Sequence, residues 1–155
     1  MDGKPWGFSK TEMRKRLWTK LIRDKPLLVV GNPMCTDWST LMSLNWPHMS
    51  EEEVERRMTE ARKHLKSCMK VYRSQAKHGR YSLHEHTSAA ASSREPIVQK
   101  MMKMQDSIVT KADQCQYGLI VEDKFGKALA KKPTKFMTSS PFIASNLRRR
   151  CEGSC

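Results

Sequence analysis

Two residues of this chain have the types needed for covalent chemistry together: Cys35 in "GNPMCTDWS" and Glu85 in "SLHEHT". A thiol is an effective nucleophile when its surroundings favour the thiolate, and a carboxylic acid beside it can protonate the group under attack. Cys35 follows the apolar run Leu27 to Val30 and the strand-stopping Gly31, Asn32 and Pro33, while Glu85 sits late in "RYSLHEH". In open α/β sheets the carboxyl ends of parallel strands border the crevice where ligands collect. If these runs are adjacent parallel strands, sulfur and carboxylate share one crevice. Each residue also has a plainer use, Cys35 as a small buried hydrophobe and Glu85 as a solvated carboxylate.

A second cluster of ligating types is His84, His86, Cys115, Cys151 and Cys155, all acceptable to zinc. His-x-His turns both rings to one side of a strand. Cys-x-x-x-Cys, however, lacks the paired Cys-x-x-Cys knuckle, so these thiols read as incidental and no metal site is assigned. His48, His64 and His78 have no sequence partners and read as surface residues.

The elements that must position these groups are legible by period. Ser9 with Glu12 has the form of a capping box, and Met13, Leu17 and Leu21 recur at helical spacing, which predicts a helix to about Arg23. Ser50 with Glu53 repeats the signal. Val54, Met58, Ala61, Leu65, Met69 and Tyr72 then form one apolar stripe to about Ala76, with Glu51 to Glu53 at the positive end of the helix dipole. Gly79 ends that helix, and "RYSLHEH" reads as a strand with Tyr81, Leu83 and Glu85 on one side.

After the small-residue loop "TSAAASS", Pro96 suits the first turn of a third helix, and "SIVTKA" reads as another strand. The order strand, helix, strand, helix, strand predicts an α/β fold with parallel strands and right-handed crossovers. Beyond Tyr117-Gly118, Gly126 and Pro133 mark turns, "TKFMT" reads as a last antiparallel strand, and Pro141 to Leu147 as a short helix. One domain results: residues 1–25 a helix and its lead-in, 26–112 the βαβαβ core, 113–147 a hairpin and last helix, 148–155 a frayed polar tail.

Lys and Arg number 29 against 16 Asp and Glu, a formal charge of +13 over 155 residues. That balance predicts attraction to polyanions, nucleic acid foremost, although the same residues could simply solvate helix faces. Trp6, Trp18, Trp38 and Trp46, interspersed among polar residues, offer stacking surfaces for bases, with Trp18 better suited to packing on the first helix. The longest aliphatic run is far short of the roughly 20 residues that span a bilayer, and the start lacks a secretory signal. The expectation is an intracellular protein of nucleus or cytoplasm, with no membrane partner and reduced thiols.

With those residues in view, "GNPMCTDWS" resembles the catalytic loop of DNA cytosine methyltransferases acting at carbon 5, "LHEHT" their glutamate motif, and "DQCQYGL" the segment ending in Tyr-Gly after the following strand. The set "NPMCTDWSTL", "GRYSLHEH", "DQCQYGL", "KPTKFMTSS" and "RRRCEGS" is similar, over about Trp18 to Ser154, to a methyltransferase-like module of retrotransposon-type polyproteins in algal genomes.

The resemblance implies a partial Rossmann-like sheet of the S-adenosylmethionine-dependent type. It implies a mechanism too: the Cys35 thiolate adds to carbon 6 of a cytosine flipped from its duplex, and Glu85 hydrogen-bonds the ring at N3 and the exocyclic amine. It further places Pro33, Ser39, His86, Tyr117 and Gly118 about the substrate, with Lys132 and Lys135 supplying charge; Tyr117 and Gly118 by themselves read as a strand-end turn. Met34 and Thr36 stand where those enzymes have proline and glutamine, and the Gln-x-Arg-x-Arg segment after Tyr-Gly is missing.

No Gly-x-Gly occurs, and about 26 residues precede the first strand, so the cofactor half is missing from this reading. The chain is therefore expected to be a fragment or degenerate copy, a pseudoenzyme that binds no S-adenosylmethionine by itself. The alternative is a non-catalytic basic nucleic-acid-binding module of a mobile-element protein, DNA being the expected partner.

Overall fold

A computed structural model describes Phe8 and residues 10–124 and 126–153. The chain is mixed α/β. Helix α1 spans Thr11–Asp24, and its predicted cap Ser9 lies outside the described residues. Strand β1 (Leu28–Gly31) leads through a 3-10 turn into a short helix α2 (Thr40–Asn45), which the sequence reading missed. Helix α3 (Glu51–Lys77) begins as expected, with the Ser50 hydroxyl accepting the Glu53 amide at 3.3 Å. Strand β2 is Tyr81–Thr87, helix α4 runs from Pro96 to Met102, and β3 covers Ile108–Asp113. A two-stranded ribbon, β4 (Ile120–Asp123) with β5 (Gly126–Leu129), precedes β6 (Pro133–Thr138) and α5 (Pro141–Asn146).

The four-stranded sheet has the order β1-β2-β6-β3. β1 and β2 are parallel neighbours, Gly31 beside His84, as the crossover through α3 requires. The expectation of a run of parallel neighbours needs correction. β6 is antiparallel to both β2 and β3 and lies between them, so β3 shares β2's direction without touching it. Nothing local announces this, because the pairing of residues 133–138 joins segments remote in sequence.

One face of the sheet carries the core. Leu65, Met69 and Tyr72 of α3 meet Leu21 of α1, Val98 and Met101 of α4, Met137 of β6 and Trp38 from the turn after β1. Gly31 belongs to this contact: a methyl there would fall on the Tyr72 hydroxyl and within 2.9 Å of its Cζ. The other face holds Leu28, Val30, Tyr81, Leu83 and Glu85, with α5 packed over its β6 and β3 end. Its β1–β2 end stays open, Val30 being 61% exposed.

Residues 148–151, expected to fray, are instead fastened to β3. The Arg149 carbonyl accepts the Asp113 amide at 3.0 Å, and Asp113 Oδ2 receives the Cys151 amide at 2.9 Å and Arg150 Nε at 3.1 Å. Tyr117 completes the latch, its hydroxyl donating to the Asn146 carbonyl at 2.7 Å and accepting the Arg149 amide at 3.2 Å. Asp113 is 1% exposed, so the Arg150→Ala variant leaves a buried carboxylate without its cation. We expect a loss of about 1–2 kcal/mol in urea unfolding, less than for a fully buried pair because Arg150 is half exposed. In an Asp113→Asn background the same change should cost almost nothing.

No helix of the described residues is long and apolar enough to cross a membrane.

Candidate nucleic-acid site at the carboxyl edge of the sheet

The loop bearing Cys35 is anchored on both sides. Pro33 is buried, and Trp38, 3% exposed, plugs into the core. Between them Asp37 forms a half-buried ion pair with Arg57 of α3 at 2.7 Å, and the Trp38 amide bonds the Cys35 carbonyl at 3.0 Å. The Ser39 hydroxyl donates to the Thr36 carbonyl at 2.8 Å and accepts the Met42 amide at 3.1 Å, which starts α2. A partly exposed thiol is thereby held at a fixed place beyond the end of β1.

That thiol lines a cavity of about 300 Å³ with Ser39, Thr40, Leu41, Thr87, Ala89 and Ala90. Thr87 is the last residue of β2 and shares Glu85's side of the strand, so Glu85 lies one strand repeat back from the strand end, about 7 Å along β2. The Glu85 carboxylate is not free. Its Oε1 accepts Gln114 Nε2 at 3.3 Å and sits 3.6 Å from Lys132 Nζ, and Gln114 also donates to the Thr134 hydroxyl at 3.0 Å. Gln114 follows β3 and Lys132 precedes β6, so four consecutive strand ends contribute to one edge. Gln114 belongs to "DQCQYGL" but carries no motif of its own, and its place just past a strand end is the signal that could have found it.

The other proposed substrate contacts divide. Lys132 stands at this edge. His86 and Lys135 do not: they are cross-strand partners on the opposite, helix-covered side. His86 is 2% exposed, with Nδ1 hydrogen-bonded to the Ser92 hydroxyl and the Pro33 carbonyl near its ring. Burial pushes its pKa down to about 4, the Pro33 carbonyl opposing this while Lys132 and Lys135 add to it. His84, hydrogen-bonded to the buried Tyr72 hydroxyl at 3.2 Å, is pushed down to about 3 by burial and by His86. Both imidazoles are therefore neutral parts of the interior. Tyr117 serves the C-terminal latch, and Gly118 ends its turn with φ 81°.

The tryptophans form no stacking platform among the described residues. Trp38 is core, Trp18 packs against the core and Trp46 lies under Arg57, 5.9 Å from the guanidinium to the ring centre; Trp6 falls outside the described residues. Nor do any three His, Cys, Asp or Glu side chains among the described residues converge as metal ligands; Cys155 lies outside them. His48 and His78 are exposed as expected, while His64 is partly buried, its ring centre 5.2 Å from that of Phe8.

Among the described residues no glycine forms a cradle of the kind that S-adenosylmethionine takes. A glycine cradle leaves room where a Cβ would stand, yet the space above Gly31 is filled by Tyr72, while Gly79, Gly118 and Gly153 lie in turns or bends and Gly126 starts β5, all with positive φ and open surroundings. No family model matches the chain, and neither a curated protein nor a solved structure is significantly similar to it.

Proposed function

We propose that this chain is a nucleic-acid-binding module built like the catalytic edge of a carbon-5 cytosine methyltransferase, a degenerate relative that takes a pyrimidine base between Cys35 and Glu85 without completing methyl transfer. One observation carries the reading: Cys35 follows β1 and Glu85 stands near the end of its parallel neighbour β2, so both lie at the carboxyl edge of the sheet, and Thr87, the last residue of β2, borders the Cys35 cavity. A C-terminal strand antiparallel to its neighbours, as the partial Rossmann-like reading calls for, supports it. DNA is the partner this reading favours, with the net charge of +13 attracting its phosphates.

In this reading the Cys35 thiol gives its proton to the Glu85 carboxylate, the sulfur bonds carbon 6 of the base as the ring's 5,6 double bond opens, and Glu85 passes that proton to N3. With no methyl donor the step reverses and the base leaves unchanged. A single-stranded oligonucleotide carrying 5-azacytosine tests this, because nitrogen at position 5 makes carbon 6 more electrophilic. Mass spectrometry after denaturation should find a one-to-one adduct with the wild-type protein and at least tenfold less with Cys35→Ser or Glu85→Gln. An adduct that survives Cys35→Ser refutes the assignment. Salt-sensitive binding without any adduct would favour the purely non-catalytic module.

A further inference from the structure

We infer a phosphate-binding site on the opposite side of the sheet from Glu85, formed by Lys111 and Lys135 with the hydroxyl of Ser93. It extends the nucleic-acid part of the reading above and rests on it only for the source of the phosphate. Lys111 of β3 and Lys135 of β6 are directly opposed in antiparallel register, and the next residue across the sheet is His86. Like charges in that position destabilise a sheet unless something compensates them. Among the described residues neither lysine has an ion-pair partner.

The carboxylates nearby pair with other cations, although the buried Oδ1 of Asp113 has no hydrogen-bond partner among the described residues. Asp113, two residues beyond Lys111 on the same side of β3, is bound to Arg150 and the Cys151 amide, and Glu95 faces Arg62 at 3.3 Å. His86 is neutral and turned to Ser92. Lys135 Nζ reaches the Ser93 hydroxyl at 2.9 Å, which fixes the ammonium in the loop after β2, and the exposed Arg94 follows directly. Partial burial and the nearness of Lys111 both pull the Lys135 pKa below its usual value, so an anion placed here would relieve a repulsion already present. A hydroxyl with two opposed ammonium groups is the donor set of a phosphate oxyanion site.

The source of the phosphate, a nucleic-acid backbone or a free phosphate ion, is separable by experiment. Binding of a fluorescent single-stranded oligonucleotide is measured against salt for the wild type, Lys111→Gln/Lys135→Gln, and Lys66→Gln/Lys70→Gln, the last removing the same charge from the exposed side of α3. Thermal melts with and without inorganic phosphate run in parallel, and Lys111→Arg/Lys135→Arg serves as the conservative rescue. We expect the first variant to bind at least tenfold more weakly at 0.1 M salt, with a slope of log affinity against log salt shallower by about 0.7, one backbone contact. The α3 variant should change affinity less than twofold, and the arginine pair should restore binding.

If the oligonucleotide does not bind the wild type but inorganic phosphate raises its melting temperature through these two lysines, the site stands with free phosphate as its ligand and the nucleic-acid reading fails. Equal losses in the two glutamine variants, or no response to either probe that depends on Lys111 and Lys135, would overturn the site itself.

Discussion

Alanine at Gly31 is expected to destabilise this protein by about 3 kcal/mol, the upper part of the range for forcing an extra methyl into a packed interior. The added carbon would meet the Tyr72 hydroxyl and approach its Cζ to 2.9 Å. Tyr72 cannot step aside: it is 1% exposed, hydrogen-bonded to His84, and surrounded by the α3 core. Relief requires β1 to move away from α3, and β1 carries the loop that presents Cys35. Urea unfolding should therefore show the loss, and the Gly31→Ala/Tyr72→Phe double variant should recover part of it, since removing the hydroxyl leaves only the milder Cζ contact. A wild-type midpoint for Gly31→Ala would mean that β1 and α3 are not packed in this way.

The second large effect is acid destabilisation through the paired imidazoles. With folded-state pKa values near 3 for His84 and 4 for His86, both are neutral in the native protein at pH 5, whereas in the unfolded chain, at about 6.5, both would be mostly protonated. Protons thus bind the unfolded state preferentially, so this contribution is complete above about pH 6.5 and declines as pH falls toward the folded values. Between pH 7 and pH 5 the two histidines together should cost on the order of 4 kcal/mol of stability. His64, also shifted down by burial, acts in the same direction. Denaturant unfolding at half-unit pH steps measures the slope, and His86→Gln should flatten it. A stability flat across pH 5 to 7 would show that these rings are protonated inside the fold or exposed to water.

What could be read from the sequence was what neighbours in the chain decide. Ser50 with Glu53 marked the start of α3, Pro96 marked α4, and the alternation of Tyr81, Leu83 and Glu85 gave the side of β2 on which Glu85 stands. The same alternation places His86 on the other side of β2, a period-two argument available before any coordinates. Insertion of β6 was beyond such reasoning, because two strands of like direction compete for it and only their packing decides. The latch of Arg150 on Asp113 was hidden for a related reason: three consecutive arginines resemble a solvated tail until a buried carboxylate far away in the chain is known to need them. At the site, the shared sheet edge of Cys35 and Glu85 followed from strand direction, while Gln114 and the opposition of Lys111 to Lys135 depend on β6 and β3 being neighbours.

The position of β6 has a consequence for synthesis. Before residues 133–138 leave the ribosome, β2 and β3 have no ladder in common, and of the four-stranded sheet the nascent polypeptide can form only the β1–β2 pair with its helices. Each later strand then waits with an unsatisfied edge, a condition that favours chaperone capture or mispairing during translation, so completion of the sheet is a late event governed by the slowest long-range closure.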